Sequence, residues 1–350
     1  MSDCSTAAGR MTIGLDVGDR YSYLCVLGEN GEVVEEGRVR TTPEALRERF
    51  GAMPPARVAL ETGTHSPWVS RLLEACGHEV IVANPRQVAL IYRNRKKSDR
   101  LDAEQLARLA RVDTKLLAPV HHRTSEGQAY LSVLRSRDVL VRARTQFINH
   151  VRGVAKSFGS RLPPSSSESF HRKVVESLPS EVRGSLEPVL ELIESLTVTI
   201  RRYEKFIENA CEEKYPETQR MTQVTGVGAL TALAFLLTIG DLQRFPDSRS
   251  VGAYLGLVPK RDDSGERSPQ LGISKEGDEF VRRLLVGSAQ YILGPFGPDT
   301  DLKRWGLKLC QRGGKNAKKR AIVAVARKLA VLLMALWKSG EKYEPLRKST

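Results

Sequence analysis

Residues 11–18 read Met-Thr-Ile-Gly-Leu-Asp-Val-Gly, a run in which apolar positions alternate and an acid stands near the end, before glycine. Such alternation predicts a β-strand with one buried face. A second short apolar run, Arg57-Val-Ala-Leu-Glu61, also ends on an acid and continues into Thr-Gly-Thr. We therefore expect Asp16 and Glu61 to lie where two strands end.

A pair of acids three residues apart follows in Ser98-Asp99-Arg-Leu-Asp102-Ala. Serine is a favoured helix N-cap, so a helix is predicted to begin directly after Ser98. Residues three apart on a helix share a face, which puts Asp99 and Asp102 on one side of the first turn. Acids at two strand ends and at one helix start can converge on a single point.

The order of predicted elements over residues 11–112 is that of an RNase H-like domain. Strands are predicted at 11–17, 21–27, 33–40, 57–61 and 78–83, and helices at 43–50 and 67–76. Three consecutive strands are thus followed by alternating helices and strands. The acids fall on the first strand, the fourth strand and the last helix of this order.

Four carboxylates gathered in this way suit Mg²⁺, a hard cation that takes oxygen ligands from protein and from substrate phosphates. Two such ions about 3.5–4 Å apart can stabilise both the attacking and the leaving oxygen of a phosphoryl transfer. The residues therefore predict a magnesium site that holds two ions. Taken singly, each acid also has a structural explanation: Asp16 could cap a turn, Glu61 could be solvated, and Asp99 and Asp102 could complement the helix dipole.

Composition points to a nucleic-acid partner. The 350 residues carry a formal net charge of +14, which favours a polyanion, nucleic acid before an acidic membrane surface. Five cysteines without CxxC spacing indicate neither a zinc site nor a disulfide framework. The first ten residues lack the build of a signal peptide and no apolar stretch is long enough to span a bilayer, so we expect no membrane association and a cytoplasmic, nucleoid-associated protein of a prokaryote.

Two further regions follow the first domain. Residues 125–215 contain long charged segments with apolar residues at helical spacing, which predict a helical hairpin or coiled coil that could serve as a spacer, an oligomerisation arm or a nucleic-acid contact. Residues 216–340 are predicted to be mostly helical, with a glycine-rich, basic middle. The expected fold class is α/β plus α, an RNase H-like domain followed by a coiled-coil middle and a helical C-terminal domain.

The C-terminal region opens with a turn that resembles a helix-hairpin-helix element. Gly226 and Gly228 precede an apolar segment that is predicted to be helical. Glycines here would let backbone N–H groups approach a DNA phosphate at a helix start. A glycine turn that simply feeds a core helix explains the same residues equally well.

A polar turn further along holds a candidate nucleophile. Ser264 precedes glycine and has Lys260, Arg261 and Arg267 nearby, which could hold a phosphate. Most serines in such turns only form local hydrogen bonds. From the residues alone, Ser264 is one candidate among the neighbouring serines, which include Ser268 and Ser274.

Taken in order, these segments resemble the DEDD-type insertion-sequence transposases. The resemblance rests on Gly14-Leu-Asp16-Val-Gly, Leu60-Glu61-Thr-Gly-Thr, Ser98-Asp99-Arg-Leu-Asp102-Ala, the Gly226-Val-Gly228 turn, and the run from Gly256-Leu-Val-Pro259 through Ser264-Gly265 to Gly277. It covers nearly the whole chain, whereas the segment before Met11 and the middle helices match only in general character. The resemblance implies a RuvC-like domain of the RNase H-like class, joined to a C-terminal transposase domain.

The family implies a mechanism as well. Asp16, Glu61, Asp99 and Asp102 carry over as the metal-binding acids, and Ser264 carries over as a nucleophile that attacks a DNA phosphate and holds the strand covalently. A structured non-coding bridge RNA would guide the enzyme to donor and target DNA by base pairing. Composite sites built from two subunits imply a homodimer or homotetramer.

Basic residues suit the handling of these nucleic acids. One run, Arg93-Asn-Arg95-Lys96-Lys97, directly precedes the acidic pair, and another ends in Lys315-Asn-Ala-Lys318-Lys319-Arg320. Lys275 adds a charge beyond the candidate serine. A solvated surface is the usual explanation for such runs, but the position of the first run beside the acids favours phosphate binding.

Three other functions fit parts of the pattern. A junction-resolving nuclease would use the same acids with a metal-activated water and no covalent serine. A sugar kinase or actin-like ATPase also begins with Ile-Gly-Leu-Asp-Val-Gly, but those folds repeat the motif in a second domain, and no second copy follows residue 112. A non-catalytic binding protein would leave the acids without a chemical role.

Overall fold

A computed structural model describes residues 11–85, 98–260 and 271–346. The chain divides into two compact units, Met1–Arg123 and Thr124–Thr350. The region predicted as RNase H-like lies in the first unit, and the two later regions both lie in the second.

The first unit is built on a five-stranded mixed sheet with the order β3-β2-β1-β4-β5. The strands are β1 Thr12–Val17, β2 Tyr21–Leu27, β3 Val33–Arg40, β4 Arg57–Glu61 and β5 Glu79–Ala83. β1, β2 and β3 are antiparallel neighbours, whereas β4 runs parallel to β1 and β5 runs parallel to β4. The predicted strands are confirmed, and the sheet is compatible with an RNase H-like fold.

Helices cover both faces of the sheet. They are α1 Pro43–Gly51, α2 Ser66–Ala75 and α3 Asp99–Val112. On one face, Ile13 and Leu60 share a buried cluster with Phe50 of α1 and Leu73 of α2. The other face is covered by α3, whose small residues allow the helix backbone to approach the sheet closely.

The second unit begins with two long helices. α4 Ser125–Ser157 and α6 Ser180–Glu213 pack along one another, and a short helix, α5 Phe170–Lys173, lies between them in the chain. Leu134 of α4 and Ile193 of α6 are fully buried. The helical segments predicted for 125–215 are therefore confirmed as helices.

The rest of the second unit is helical too. Its helices are α7 Thr218–Thr222, α8 Ala229–Ile239, α9 Val251–Tyr254, α10 Glu279–Leu293, α11 Asp301–Cys310 and α12 Ala317–Ser339. α8 is buried from Thr231 to its end. Leu134 and Ile207 of the long helices share one core with Phe235 of α8 and Leu333 of α12, so these elements pack as one body.

None of the helices in the described segments combines the length and the apolar character that a membrane span requires. α8 has 11 residues, whereas a bilayer needs about 20. α12 is longer but carries Arg327 and Lys328.

Candidate active site

Asp16 and Glu61 end up side by side at one edge of the sheet. Leu15 of β1 is paired with Leu60 of β4 in parallel register, and each acid is the next residue on its strand. Residues in register on parallel neighbours point to the same face of a sheet. Both acids are half-buried.

The face that carries both acids is the one covered by α3. Asp16 lies two residues after Gly14, so the two share a face of β1. A Cβ atom placed on Gly14 would lie 1.9 Å from the carbonyl oxygen of Ala103 and 2.6 Å from the amide nitrogen of Ala107. Glycine at position 14 is therefore what admits the helix backbone onto the strand.

α3 runs so that its first turn reaches the acid-bearing edge. At the far end of the helix, Arg57 Nη1 donates to the Ala110 carbonyl at 3.2 Å, and Arg57 is the first residue of β4. Arg111 Nη1 donates to the Gly28 carbonyl, just beyond the end of β2, at 3.1 Å. Because the end of α3 lies at the start of β4, its first turn lies toward the end of β4, where Glu61 stands.

Two contacts hold that first turn in place. Ser98 caps the helix by accepting a hydrogen bond from the Leu101 amide at 3.3 Å, as its position in the sequence predicts. Arg100 forms a hydrogen-bonded ion pair with Glu36 of β3, with its Nε donating to Oε1 at 2.8 Å. The hydrogen bond with Glu36 raises the pKa of Arg100. Arg100 thus points toward β3, and Asp102, two residues further on, lies on the opposite side of the helix.

Asp16 and Glu61 are hard oxygen ligands that suit a divalent cation, and the register of β1 and β4 makes them neighbours. In the first turn of α3, Asp102 is half-buried, whereas Asp99 is exposed. Within the described segments, no three His, Cys, Asp or Glu side chains lie close enough together to hold a metal ion. The two neighbouring carboxylates fit a divalent cation of the kind that is bound by one or two carboxylates together with water and substrate phosphates.

Several predicted site residues lie outside the described residues. They are Arg93, Arg95, Lys96, Lys97, Arg261, Ser264 and Arg267. Their roles therefore stay predictions.

The chain on either side of residues 261–270 forms a short antiparallel stem. Pro259 and Ile273 form a β-bridge, the Lys260 amide donates to the Gly272 carbonyl at 2.9 Å, and the Ser274 amide donates to the Val258 carbonyl at 2.8 Å. The two ends of the segment that contains Ser264 are therefore held together.

Arg282 of α10 fastens the base of this stem. Its Nη1 donates to the Leu255 carbonyl at 3.0 Å and to the Glu276 carbonyl at 2.7 Å. Gly256 and Gly277 have positive φ, and a Cβ on either would lie within 2.3 Å of backbone atoms. Arg282 could not be singled out from the sequence, because nothing local distinguishes an arginine in the first turn of a helix.

Lys275 has an unusual conformation in the same stem. Its φ is 59°, a left-handed conformation that residues other than glycine adopt at a cost. Its amide donates to the Gly256 carbonyl at 3.1 Å, and its side chain is exposed. Lys260, on the other side of the stem, is also exposed, so both predicted cations are accessible to a ligand.

The glycine turn before α8 has a clear packing explanation. Gly226 has φ 89°, and a Cβ there would lie 3.1–3.2 Å from Tyr291, Ile292 and the Ser288 carbonyl. Gly228 is the N-cap residue of α8 and has open space where a Cβ would be. Internal packing thus accounts for Gly226, and only Gly228 presents an open backbone.

The basic run near the C-terminus is accessible. Lys315, Lys318, Lys319 and Arg320 are all exposed around the start of α12. They form one basic cluster, which we call the α12 cluster.

Two family models match the chain. Residues 13–159 match a DEDD-type IS110 model described as transposase, and residues 218–300 match the model of the transposase IS116/IS110/IS902 family. The transposase for insertion sequence element IS1111A of Coxiella burnetii is 30% identical over 95% of this chain and 90% of its own length. A probable family 20 transposase of Pseudomonas aeruginosa is 30% identical over 95% of this chain and 98% of its own length. The transposase for insertion sequence element IS1328 of Yersinia enterocolitica is 28% identical over 80% of this chain and 83% of its own length.

Proposed function

Because the chain belongs to the IS116/IS110/IS902 family of insertion-sequence transposases, we propose that it cuts and rejoins DNA strands. Members of this family are enzymes that act on DNA. The side chains proposed for the chemistry are the acids at the edge of the sheet. One observation carries this proposal: Asp16 and Glu61 are neighbours on parallel strands, and the first turn of α3 lies toward the same edge. Neighbouring carboxylates are oxygen ligands of the kind that a divalent cation takes.

Asp16, Glu61, Asp99 and Asp102 are the residues that would hold divalent metal, which we propose to be two Mg²⁺ ions. When bound, the metal would supply positive charge to the phosphate oxygens during phosphoryl transfer. The chain's own contribution is to keep the carboxylates at a common edge. Ser98 and Arg100 do this for the helical pair through the cap and the Glu36 ion pair.

We assign the nucleophile to Ser264. Its hydroxyl oxygen would attack a backbone phosphorus, the bridging oxygen of the leaving strand would depart with a proton, and the remaining strand would be held as a phosphoserine ester. Attack on that ester by the hydroxyl of another strand would release serine and complete the exchange. A serine hydroxyl needs an activating base or metal for such an attack. Support comes from the stem that brackets residues 261–270, which anchors the segment on both sides.

The nucleic acids in this proposal are donor DNA, target DNA and a structured guide RNA. The RNA would supply sequence specificity by base pairing, so the protein would contact backbone and shape, as in other RNA-guided systems. The exposed cations Lys260, Lys275 and the α12 cluster suit backbone contacts. We propose a homodimer or homotetramer in which acids and serine of different subunits meet.

Covalent capture tests this function. The full-length chain, its flanking non-coding RNA and a labelled duplex spanning the element end are mixed with Mg²⁺ and then denatured. We expect labelled DNA to remain attached to the protein, and the attachment to be absent in Ser264→Ala and in Asp16→Asn.

The variants separate the competing mechanisms. If Ser264→Ala still cut DNA at the full rate, a nuclease that uses an activated water would replace the serine mechanism. If Asp16→Asn and Glu61→Gln also left cutting unchanged, the acids would have no role in the chemistry and the proposal would be wrong.

A further inference from the structure

A histidine and an aspartate join the two turns that follow the acid-bearing strands. Asp19 lies three residues after Asp16, in the turn between β1 and β2. His65 lies four residues after Glu61, as the N-cap residue of α2. His65 Nε2 is 3.3 Å from Asp19 Oδ1, so the pair lies at the same edge of the sheet as the acids.

Trp68 determines which nitrogen of His65 carries the hydrogen. The indole Nε1 of Trp68 donates to His65 Nδ1 at 3.0 Å, and the two rings are perpendicular at 86°. An indole N–H can only donate, so Nδ1 must accept. In this tautomer Nε2 carries the hydrogen and is a donor directed at Asp19.

Trp68 holds the imidazole ring of His65 in place, whereas Asp19, which accepts its hydrogen bond, can be replaced by another acceptor. Trp68 is partly buried and packs against the core beneath α2. The Asp19 side chain is 92% exposed, and the His65 side chain is 30% exposed. Exposed pairs of this kind contribute little to stability, because water competes for both partners. Nε2–H can therefore exchange Asp19 for another acceptor without loss of its orientation.

The chemistry of the edge favours a phosphate oxygen as that acceptor. DNA brought to the acids meets several negative side chains, and a lysine or arginine placed among them would pair with the carboxylates instead. A ring N–H donates a hydrogen bond without adding a full charge that the acids would capture. Side-chain hydrogen bonds to phosphate oxygens are a common way in which proteins fix the register of DNA.

We propose that His65 is a further DNA-contacting residue, which donates its Nε2–H to a non-bridging phosphate oxygen of the strand bound at the acids, and that Asp19 accepts this hydrogen when DNA is absent. The inference rests on the proposed function, because it places DNA at this edge. Trp68 is then a positioning residue that keeps the donor on Nε2.

The alternative role for the same contact is a structural strap between the two turns. The two roles differ in the effect of Asp19. A strap needs both partners, so Asp19→Ala, which removes the acceptor, should impair the protein as much as loss of His65. A phosphate donor needs only His65, so Asp19→Ala should leave DNA affinity unchanged or raise it, because one negative charge near the DNA is removed.

The experiment measures binding of the full-length chain to a duplex spanning the element end, in Ca²⁺ so that binding is read without cleavage. Loss of a hydrogen bond to a charged acceptor corresponds to about tenfold or more in affinity, which is the effect expected for His65→Leu. His65→Gln, which places an amide N–H near the Nε2 position, should recover most of it. Trp68→Phe, which removes the indole donor, should give an intermediate loss.

Scanning the duplex with single methylphosphonate groups identifies the partner phosphate. A methylphosphonate at one position should weaken binding of the wild-type chain and have no effect on binding of His65→Leu. The reason is that His65→Leu has already lost the hydrogen bond that this substitution removes. The inference is overturned if every position matters equally in both proteins, or if Asp19→Ala binds as weakly as His65→Leu. If His65→Leu unfolds, the comparison of His65→Gln with Asp19→Ala decides the same question.

The outcome is distinguishable from failure of the proposed function. Asp16→Asn should lose cleavage and keep DNA binding if the proposed function is right. If Asp16→Asn still cleaves DNA and His65→Leu binds DNA more weakly, the catalytic role of the acids is overturned and the phosphate contact is kept. If Asp16→Asn does not cleave DNA and His65→Leu binds DNA as tightly as the wild type, only the inference on His65 is overturned.

Discussion

Gly14 of β1 lies directly beneath Ala103 of α3, so closely that a methyl group on Gly14 would fall 1.9 Å from the Ala103 carbonyl oxygen. The atom in the way is backbone, which cannot rotate aside as a side chain could. This contact sets the distance between the sheet and the helix that carries Asp99 and Asp102. The position of the first turn of α3 relative to the strands therefore depends on the absence of a side chain at residue 14.

Gly14→Ala should displace α3 and destabilise the first unit. Overpacking of a tight interior typically costs about 1–3 kcal/mol, and a backbone clash places this variant at the upper end of that range. Urea unfolding of the full chain measures the loss. Gly51→Ala is the matched control, because nothing lies within 4 Å of a Cβ at that helical position. Equal stability of the two variants would show that α3 does not press on Gly14.

The reactivity of Cys25 reports the same displacement locally. Cys25 is paired with Gly14 in the sheet and is fully buried against Ala103 and Ala107. Burial, with additions from Glu104 and Glu36, raises the pKa of Cys25 to about 11. Alkylation at pH 8, mapped by mass spectrometry, should therefore be slow at Cys25 in the wild-type chain and faster in Gly14→Ala.

His122 should make the first unit less stable in mild acid. Its Nε2 lies 2.9 Å from Ser66 Oγ, and burial, followed by the charges of Arg71 and Arg123, lowers the pKa of His122 from 6.5. The folded chain then binds fewer protons than the unfolded chain as the pH falls through about 6.5, so stability decreases there.

Unfolding of His122→Gln across pH 5 to 8 tests this dependence. The variant should lose part of the acid sensitivity between pH 7 and 5, measured by urea midpoints at each pH. Burial also lowers the pKa of His171 in the second unit, so some sensitivity should remain. Parallel pH curves for variant and wild type would contradict the role of His122.

Arg282→Lys should loosen the stem that brackets the serine segment. A lysine ammonium replaces the planar guanidinium and cannot keep the same bridge between the Leu255 and Glu276 carbonyls. We expect faster hydrogen exchange at the Ser274 and Lys275 amides and slower strand exchange, with DNA affinity kept. Arg304→Lys is the control, because Arg304 pairs with the exposed Asp299. Unchanged amide exchange in Arg282→Lys would rule out the fastening role.

Neutralising three residues of the α12 cluster should reduce the salt dependence of DNA binding. If Lys318, Lys319 and Arg320 each contact a phosphate, their replacement by alanine should make the negative slope of log K against log salt shallower by about 2.7. Arg172, Lys173 and Lys205 form a matched exposed triple on α5 and α6. The same change of slope from the control triple would indicate a general charge effect instead of a dedicated surface.

The strands and the helix start could be predicted because their signals are local. Alternation of apolar residues gives β1 and β4, and Ser98 acts as the N-cap because its side chain bonds to an amide three residues on. The order of elements then suggests which strands are neighbours. These features need no information about distant parts of the chain.

The contacts that complete the site could not be predicted, because they join residues far apart in the sequence. The approach of Ala103 to Gly14 depends on how closely α3 packs, which no periodicity encodes. Arg282 donates hydrogen bonds to carbonyl groups at the base of a stem, and this stem forms only when residues 256–260 pair with residues 272–276. His65 could have been suspected from its place after Glu61, but its tautomer depends on Trp68.

Acids from β1, β4 and α3 are proposed to bind metal at one edge of the sheet, and iron-directed cleavage of the protein reports whether they share a site. Fe²⁺ bound in place of Mg²⁺, with ascorbate and peroxide, produces radicals that cut only nearby backbone. In the full chain bound to DNA, we predict cuts within 14–18, 59–63 and 98–103 together, suppressed by excess Mg²⁺ and lost in Asp16→Asn. Cuts confined to one of these segments, or unchanged in Asp16→Asn, would contradict a shared metal site.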